Sequence, residues 1–308
     1  MKSRLQWSEI PGPWLKLCKI RISLLAACSS LAGFILAAPR LSLGFLVPWA
    51  GVLTLACGAS ALNQYQERDV DGKMERTKQR PLPSNRVPPV WALIFSGLLM
   101  FSGFWILSKA GAVAVILGSC AVAWYNGVYT QLKKISAFAA VPGALTGAFP
   151  PAIGWACGGG NLTDQRLWAL ALFFFMWQVP HFWTIAFDRS REYRAAGLPT
   201  LSDSFSETQI RRVVFHWILG TAACSLLLCF CGPVHSSIAR CALLAISSWL
   251  IYAGFSFRQF RERTGSTLFR KMNHFMLAVL LLLFLDWLLA VLPLQPKYLS
   301  AIMALARW

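Results

Sequence analysis

Charge is what this chain has least of. Asp, Glu, Lys and Arg make up 13% of its 308 residues, where a soluble domain carries about a quarter. With 56% hydrophobic residues and a mean hydropathy of +0.54, an ordinary soluble protein is excluded. Acid is the scarcer sign, at 12 Asp and Glu against 29 Lys and Arg. Histidine occurs four times only. The nine cysteines form no C-x-x-C, no C-x-x-C-H and no paired set outside the apolar runs. That leaves no zinc ribbon, no covalent haem attachment and no disulfide framework, and buried free thiols are expected instead. The chain also lacks a low-complexity linker, an internal repeat and a separate polar domain. A cleavable signal is not expected, because the first 17 residues are polar, contain Pro11 and Pro13, and lead into a full-length apolar run.

Those apolar runs recur from end to end at the length a helix needs to cross a bilayer. Nine are expected, at about 18–38, 43–62, 89–107, 110–127, 137–156, 166–187, 212–231, 237–255 and 272–292. The expected fold is all-α: a single polytopic membrane domain over 18–292, between a tail at 1–17 and a short tail at 293–308. The net charge of +17 would suggest nucleic acid in a soluble protein, but its distribution removes that reading. Twenty-three of the 29 cationic residues fall in the N-terminal tail and in alternate loops. The other side holds only Arg40, Lys109, Arg166, Arg240, Lys297 and Arg307. The positive-inside rule then puts the N-terminus and the charged loops in the cytoplasm and the C-terminus outside. One span more or fewer would scramble the alternation.

The densest polar stretch runs from Asn63 to Pro83, with four carboxylates and five Lys or Arg between two apolar runs. Charge so close to a bilayer is either a solvated loop or a site, and its spacing favours a site. Asn63, Glu67 and Asp71 recur every fourth residue, so on a helix they form one row, while Asp69 faces the other way. A row of oxygen donors suits a hard divalent cation, and Arg76 and Arg80, one and two turns on, suit phosphate oxygens. A second acidic stretch, F-D-R-S-R-E-Y-R-A-A-G, repeats the spacing with Asp188 and Glu192. Two acidic faces on the same side suggest a shared Mg²⁺ and diphosphate chamber; the bland alternative is a pair of helix ends with internal ion pairs. Further cations for the anion are Lys133, Lys134, Arg189, Arg191 and Arg194. Within W-Q-V-P-H-F-W, His181 follows a proline that frees helix carbonyls, in a setting that only a buried or wet environment tolerates. Asp286 reads as a hydrogen-bonding residue between helices.

These motifs together resemble the UbiA family of intramembrane prenyltransferases, and most closely its haem-farnesylating branch. The residues that carry the resemblance are Asn63, Glu67, Asp71, Met74, Arg76, Thr77, Arg80, Pro81 and Leu82, then Tyr129, Lys133 to Trp155, W-Q-V-P-H-F-W and E-Y-x-x-A-G. Lys19-Ile20-Arg21 departs from the family's K-P-R and is expected to alter a bend and not the chemistry. The resemblance implies nine helices around a central cavity. It also implies farnesyl transfer from farnesyl diphosphate to a vinyl carbon of haem b, with water adding. Asn63, Glu67, Asp71, Asp188 and Glu192 are then expected to hold Mg²⁺, with Arg76, Arg80, Lys133 and Arg191 on the diphosphate. Tyr129 and Trp177 would face the carbocation or the acceptor. His181 would reach the haem iron, with His216 and His274 as second choices. A haem A synthase or terminal oxidase would be the downstream partner, and a bacterial inner membrane the setting. The rival readings are another prenyl acceptor, an organic-anion transporter and a histidine-paired electron carrier. A transporter would bind near the bilayer midplane, whereas here the charge lies at one face.

Overall fold

Nine helices among the described residues are long and apolar enough to cross a membrane. The computed structural model describes residues 11–38, 42–232, 234–259 and 264–291; Arg40, Lys297, Arg307, the first ten residues and the expected tail at 293–308 lie outside them. A short helix α1 (Pro11–Leu17) precedes the first span, α2 (Ile20–Ala37). The next spans are α3 (Leu43–Asp71), α4 (Pro89–Ser108), α5 (Ala112–Leu132), α6 (Ala137–Cys157) and α7 (Gln165–Asp188). A six-residue helix α8 (Ser190–Ala195) leads to α9 (Glu207–Phe230), α10 (Ser237–Arg258) and α11 (Gly265–Val291). No strand occurs among the described residues, and the expected all-α, nine-span architecture holds.

Among the boundaries that moved, three have a local reason. The regular helix of α3, Leu46–Asp71, has 26 residues, which at about 1.5 Å per residue outreaches a hydrocarbon core of about 30 Å. Its last two and a half turns, which carry Asn63, Glu67 and Asp71, therefore extend beyond the length needed to span. The seventh span starts at Glu207 and not near 212, because Ser206 and Gln209 form a reciprocal capping box. The ninth starts at Gly265 and not near 272, because Asp188 accepts from the first amides of that helix.

Close backbone contact holds the bundle together where lipid offers no hydrophobic drive. A Cβ on Gly33 of α2 would overlap the Pro151 carbonyl of α6, and one on Gly154 would overlap the Ser30 carbonyl of α2. Nearby, Trp155 is fully buried. Away from this crossing, Phe173, Val179, Ile218, Leu250, Phe257, Met272 and Phe275 form a continuous core between α7, α9, α10 and α11. Asp286 makes the expected bond between helices, and does so at a helix end. It accepts from the amides of His235 (2.6 Å) and Ser236 (3.0 Å), and so caps the start of α10.

Overpacking at such a contact costs about 1–3 kcal/mol or more. Gly154→Val is therefore expected to lower the thermal midpoint in detergent. Gly97→Val, where a side chain meets nothing within 4 Å, should leave it unchanged. Equal midpoints would remove the α2–α6 crossing as a determinant of stability.

Candidate functional site

The Asn63–Glu67–Asp71 row is buried, at 0%, 8% and 2% exposure, and each member meets one cation from a different part of the chain. Lys19 Nζ donates to Asn63 Oδ1 at 2.6 Å. Lys133, just past α5, pairs with Glu67. Arg80, in the loop after α3, donates to both carboxylate oxygens of Asp71 at 2.8 and 2.6 Å. Three basic groups thus surround two carboxylates in a buried place. Burial first, then the charges of Arg80 and Lys133, depress Lys19 to about 7, against the opposing pull of Glu67 and Asp71. A site in that condition favours an anion.

Local structure explains how each cation arrives. Lys19 stands between α1 and α2 with φ 45 and ψ 47, a left-handed conformation. Gln64 Nε2 holds the preceding turn by donating to the carbonyls of Lys16 (2.8 Å) and Leu17 (2.9 Å). Ile20 in place of the family's proline was expected to alter a bend, and Lys19 was not among the expected site residues; the structure puts its amine in the site. Spacing gave no signal for it, because the reversal at residue 19 breaks any periodic register with α3. Lys133 follows a π-helical stretch, Ala123–Tyr129, within α5, a feature that recurs at functional sites. The wider turn is tied to α3 through Asn126, which donates to Ala59 O and Gln66 Oε1, and through Thr130, which accepts from Asn63 Nδ2 at 3.0 Å. The loop after α3 folds back because Thr77 Oγ1 donates to the Asp71 carbonyl at 2.8 Å, while Met74, Thr77 and Leu82 are buried.

The second acidic segment divides. Glu192 accepts from the Arg76 amide at 2.9 Å and more distantly from Arg189, which joins the two charged loops. That backbone donor, ahead of Arg189, lowers its carboxyl below the usual range, so the junction is lost only as pH falls through the lowered value. Asp188 gives its two oxygens to the amides of Gly265 and Ser266, each at 2.6 Å. No group of three His, Cys, Asp or Glu side chains gathers closely enough to hold a metal among the described residues; Asn63, Glu67 and Asp71 line one helix face at successive turns. Arg76 and Arg191 are exposed. Asp69 is exposed too and meets only Arg68, at 3.8 Å.

From the row, aromatic rings lead inward. Lys133 Nζ lies 5.4 Å over Tyr129, and Tyr129 stacks on Phe182 at 5.7 Å and 7°. Beside Phe182 is His181, whose imidazole is held between Trp177 (4.3 Å) and Phe269 (4.4 Å). Its Nδ1 is buried without a hydrogen-bond partner among the described residues. Trp177 is fixed by donating Nε1 to the Met272 carbonyl at 3.0 Å. Pro180 has no amide hydrogen to give Met176, four residues earlier; Thr221 Oγ1 of α9 donates to that carbonyl at 2.9 Å instead. His216 and His274 are exposed, and His216 Nδ1 turns to the Arg212 carbonyl at 2.7 Å.

Residues 26–279 match the UbiA prenyltransferase family. The chain is similar to a protoheme IX farnesyltransferase of Geobacter sulfurreducens, 38% identical over 271 residues that cover 87% of this chain and 98% of the relative. It is similar to another of that name from Symbiobacterium thermophilum, at 32% identity over 81% and 87% of the two chains. Among solved structures, a UbiA homologue from Aeropyrum pernix has a TM-score of 0.69 at 15% identity, covering 89% of this chain and 99% of that one. A UbiA homologue from Archaeoglobus fulgidus, bound to DMAPP and Mg²⁺, has a TM-score of 0.65 at 12% identity, covering 89% and 98%. At these identities the structural likeness speaks for the fold.

A ligand that binds only the folded state raises stability, by about 2.7 kcal/mol at a hundred times its Kd. Inorganic pyrophosphate with Mg²⁺ is expected to raise the thermal midpoint of the protein. Asp71→Asn and Lys19→Met should each lose most of that rise, and Asp69→Asn should keep it. An undiminished rise in Asp71→Asn would dissolve the site.

Proposed function

The chain belongs to the UbiA prenyltransferase family, and we propose that it transfers a farnesyl group from farnesyl diphosphate to a vinyl group of haem b, giving haem O. One observation carries the donor half: the buried row Asn63, Glu67 and Asp71 meets Lys19, Lys133 and Arg80 one for one. The acceptor half is supported by relatives named protoheme IX farnesyltransferase and by the unpartnered imidazole nitrogen at the end of the ring path.

The donors suit Mg²⁺, since two carboxylates and an amide oxygen are hard ligands on one helix face. Asn63, Glu67 and Asp71 would hold it, with Glu192 as the contributor from the second segment. When bound, Mg²⁺ neutralises charge on the diphosphate and so favours its departure. Arg80, Lys133 and Lys19 would turn from the row to the phosphate oxygens, with Arg76 and Arg191 at the exposed rim. Donors aimed at developing charge in a dry site contribute on the order of several kcal/mol.

The C–O bond breaks with its electron pair leaving on the diphosphate. The faces of Tyr129 and Phe182 stabilise the allylic cation, and the apolar helices keep water from it. The vinyl π electrons of the acceptor form the new C–C bond. The electron-poor carbon left beside the porphyrin takes the oxygen of water, and the proton goes to solvent. His181 would bind the haem iron through its imidazole edge, while Trp177 covers one face of that ring. The charge asymmetry supports a site on the cytoplasmic face of a bacterial inner membrane.

The test is purified protein in detergent with haem b, farnesyl diphosphate and Mg²⁺, its extracted haems resolved by mass spectrometry. A farnesylated, hydrated haem that vanishes with EDTA is expected. Farnesyl appearing on a quinone precursor while haem is unchanged would replace the acceptor. Asp71→Asn is expected to lower turnover roughly 10²-fold or more at saturating Mg²⁺, with membrane insertion intact. His181→Ala should weaken haem binding, read from the Soret band, more than farnesyl diphosphate binding. Equal loss of both would refute the ligand role.

A further inference from the structure

Asp188 shares a helical face with Glu192 in sequence, and on that spacing it reads as a metal ligand. Its surroundings give it other work. Its two oxygens accept from the amides of Gly265 and Ser266, each at 2.6 Å. These are the first two residues of α11, whose amides have no partner within their own helix. Gly265 itself lies so close to α7 that a Cβ would overlap the carbonyl of Thr184, one turn before Asp188, and stand 3.1 Å from Asp188 Oδ1.

The contact continues down both helices at three- and four-residue steps. Phe269 covers one face of the His181 imidazole, with ring centroids 4.4 Å apart. The Met272 carbonyl accepts from Trp177 Nε1 at 3.0 Å, and Trp177 covers the other imidazole face at 4.3 Å. Phe275 meets Phe173 edge-on at 6.1 Å. Positions 188, 184, 181, 177 and 173 of α7 thus face 265, 269, 272 and 275 of α11 in one register. Of these contacts, only the one at Asp188 carries a full charge, and it stands at the end where α11 begins. Sliding α11 by one residue along α7 would separate this carboxylate from both amides and carry Phe269 off His181.

We infer that Asp188 is a positioning residue of the acceptor pocket: by capping α11 it sets the register that clamps His181 between Trp177 and Phe269. The inference rests on the proposed haem acceptor. It parts the second acidic segment between two tasks, with Glu192 on the diphosphate side and Asp188 on the acceptor side. Two carboxylates four residues apart thereby serve opposite ends of one reaction.

The experiment compares Asp188→Asn, Asp188→Ala and Phe269→Ala with the unaltered protein, full-length in detergent. Three quantities are read: the Mg²⁺ midpoint for the thermal shift given by pyrophosphate, the KM for farnesyl diphosphate, and haem affinity with its Soret maximum. A positioning role predicts a Mg²⁺ midpoint and a farnesyl diphosphate KM within about twofold of the unaltered protein in all three variants. Haem affinity should fall about tenfold or more in Asp188→Ala and Phe269→Ala, with a displaced Soret maximum. Asp188→Asn, which keeps one carbonyl oxygen for an amide, should recover much of that loss. A tenfold or larger rise in the Mg²⁺ midpoint of Asp188→Asn would make Asp188 a metal ligand and overturn the inference. So would unchanged haem affinity in both alanine variants. Should Asp188→Ala fail to fold, Asp188→Asn and Phe269→Ala still decide between these results. If the unaltered protein binds no haem, the proposed acceptor fails first, and the pyrophosphate readout reports separately on the metal.

Discussion

Everything at the charged end of this bundle depends on matching buried carboxylates with cations drawn from distant parts of the chain. A carboxylate held at a bilayer face loses hydration, and only a close, hydrogen-bonded partner makes up for it. Glu67 and Asp71 meet this condition through Lys133 and Arg80. These partners lie on separate segments, so the pairing also fastens the end of α5 and the long loop against α3. Lys19, depressed to about 7, stands beside these pairs as an amine that an anionic guest would hold protonated. On the proposed function, the side chains that stabilise this end of the bundle would be the ones that meet the diphosphate.

Hydropathy made the spans legible, because backbone groups in lipid must satisfy each other within helices and that demand writes itself as long apolar runs. The row at 63, 67 and 71 was legible for a similar reason: α3 stays helical past the membrane, so periodicity survives into the site. Where the chain leaves regular helix, periodicity no longer informs. The reversal at Lys19 brings in a residue that no spacing connects to Asn63. Asp188 keeps the phase its sequence suggests, yet its oxygens are taken by amides of a helix 77 positions later. Asp286 serves α10 in the same manner. Such long-range capping depends on how helices lie side by side, and nothing local in the sequence announces it.

The aromatic path from Tyr129 to His181 shows how rings can organise a pocket without charge. Most of these rings are held by stacking on one another, and Trp177 is fixed further by its bond to the Met272 carbonyl. The carbonyl freed by Pro180 is answered by Thr221, so α9 braces α7 at the point where the proline weakens it. His181 Nδ1 is not alone there: Trp183 Nε1, two residues on, is also buried without a hydrogen-bond partner among the described residues.

The π-helical stretch in α5 places an unusual demand on the gene. Such a turn holds one residue more than the α-helix around it. Removing any single residue between 123 and 129 would restore ordinary helix and swing Tyr129, Thr130 and Lys133 round by roughly 100°. Composition along this stretch has latitude, since several of its side chains face outward. Its residue count has none. In the descent of this enzyme, insertions and deletions would be tolerated in the loops on either side and purged here, even where they spare every residue that touches a ligand.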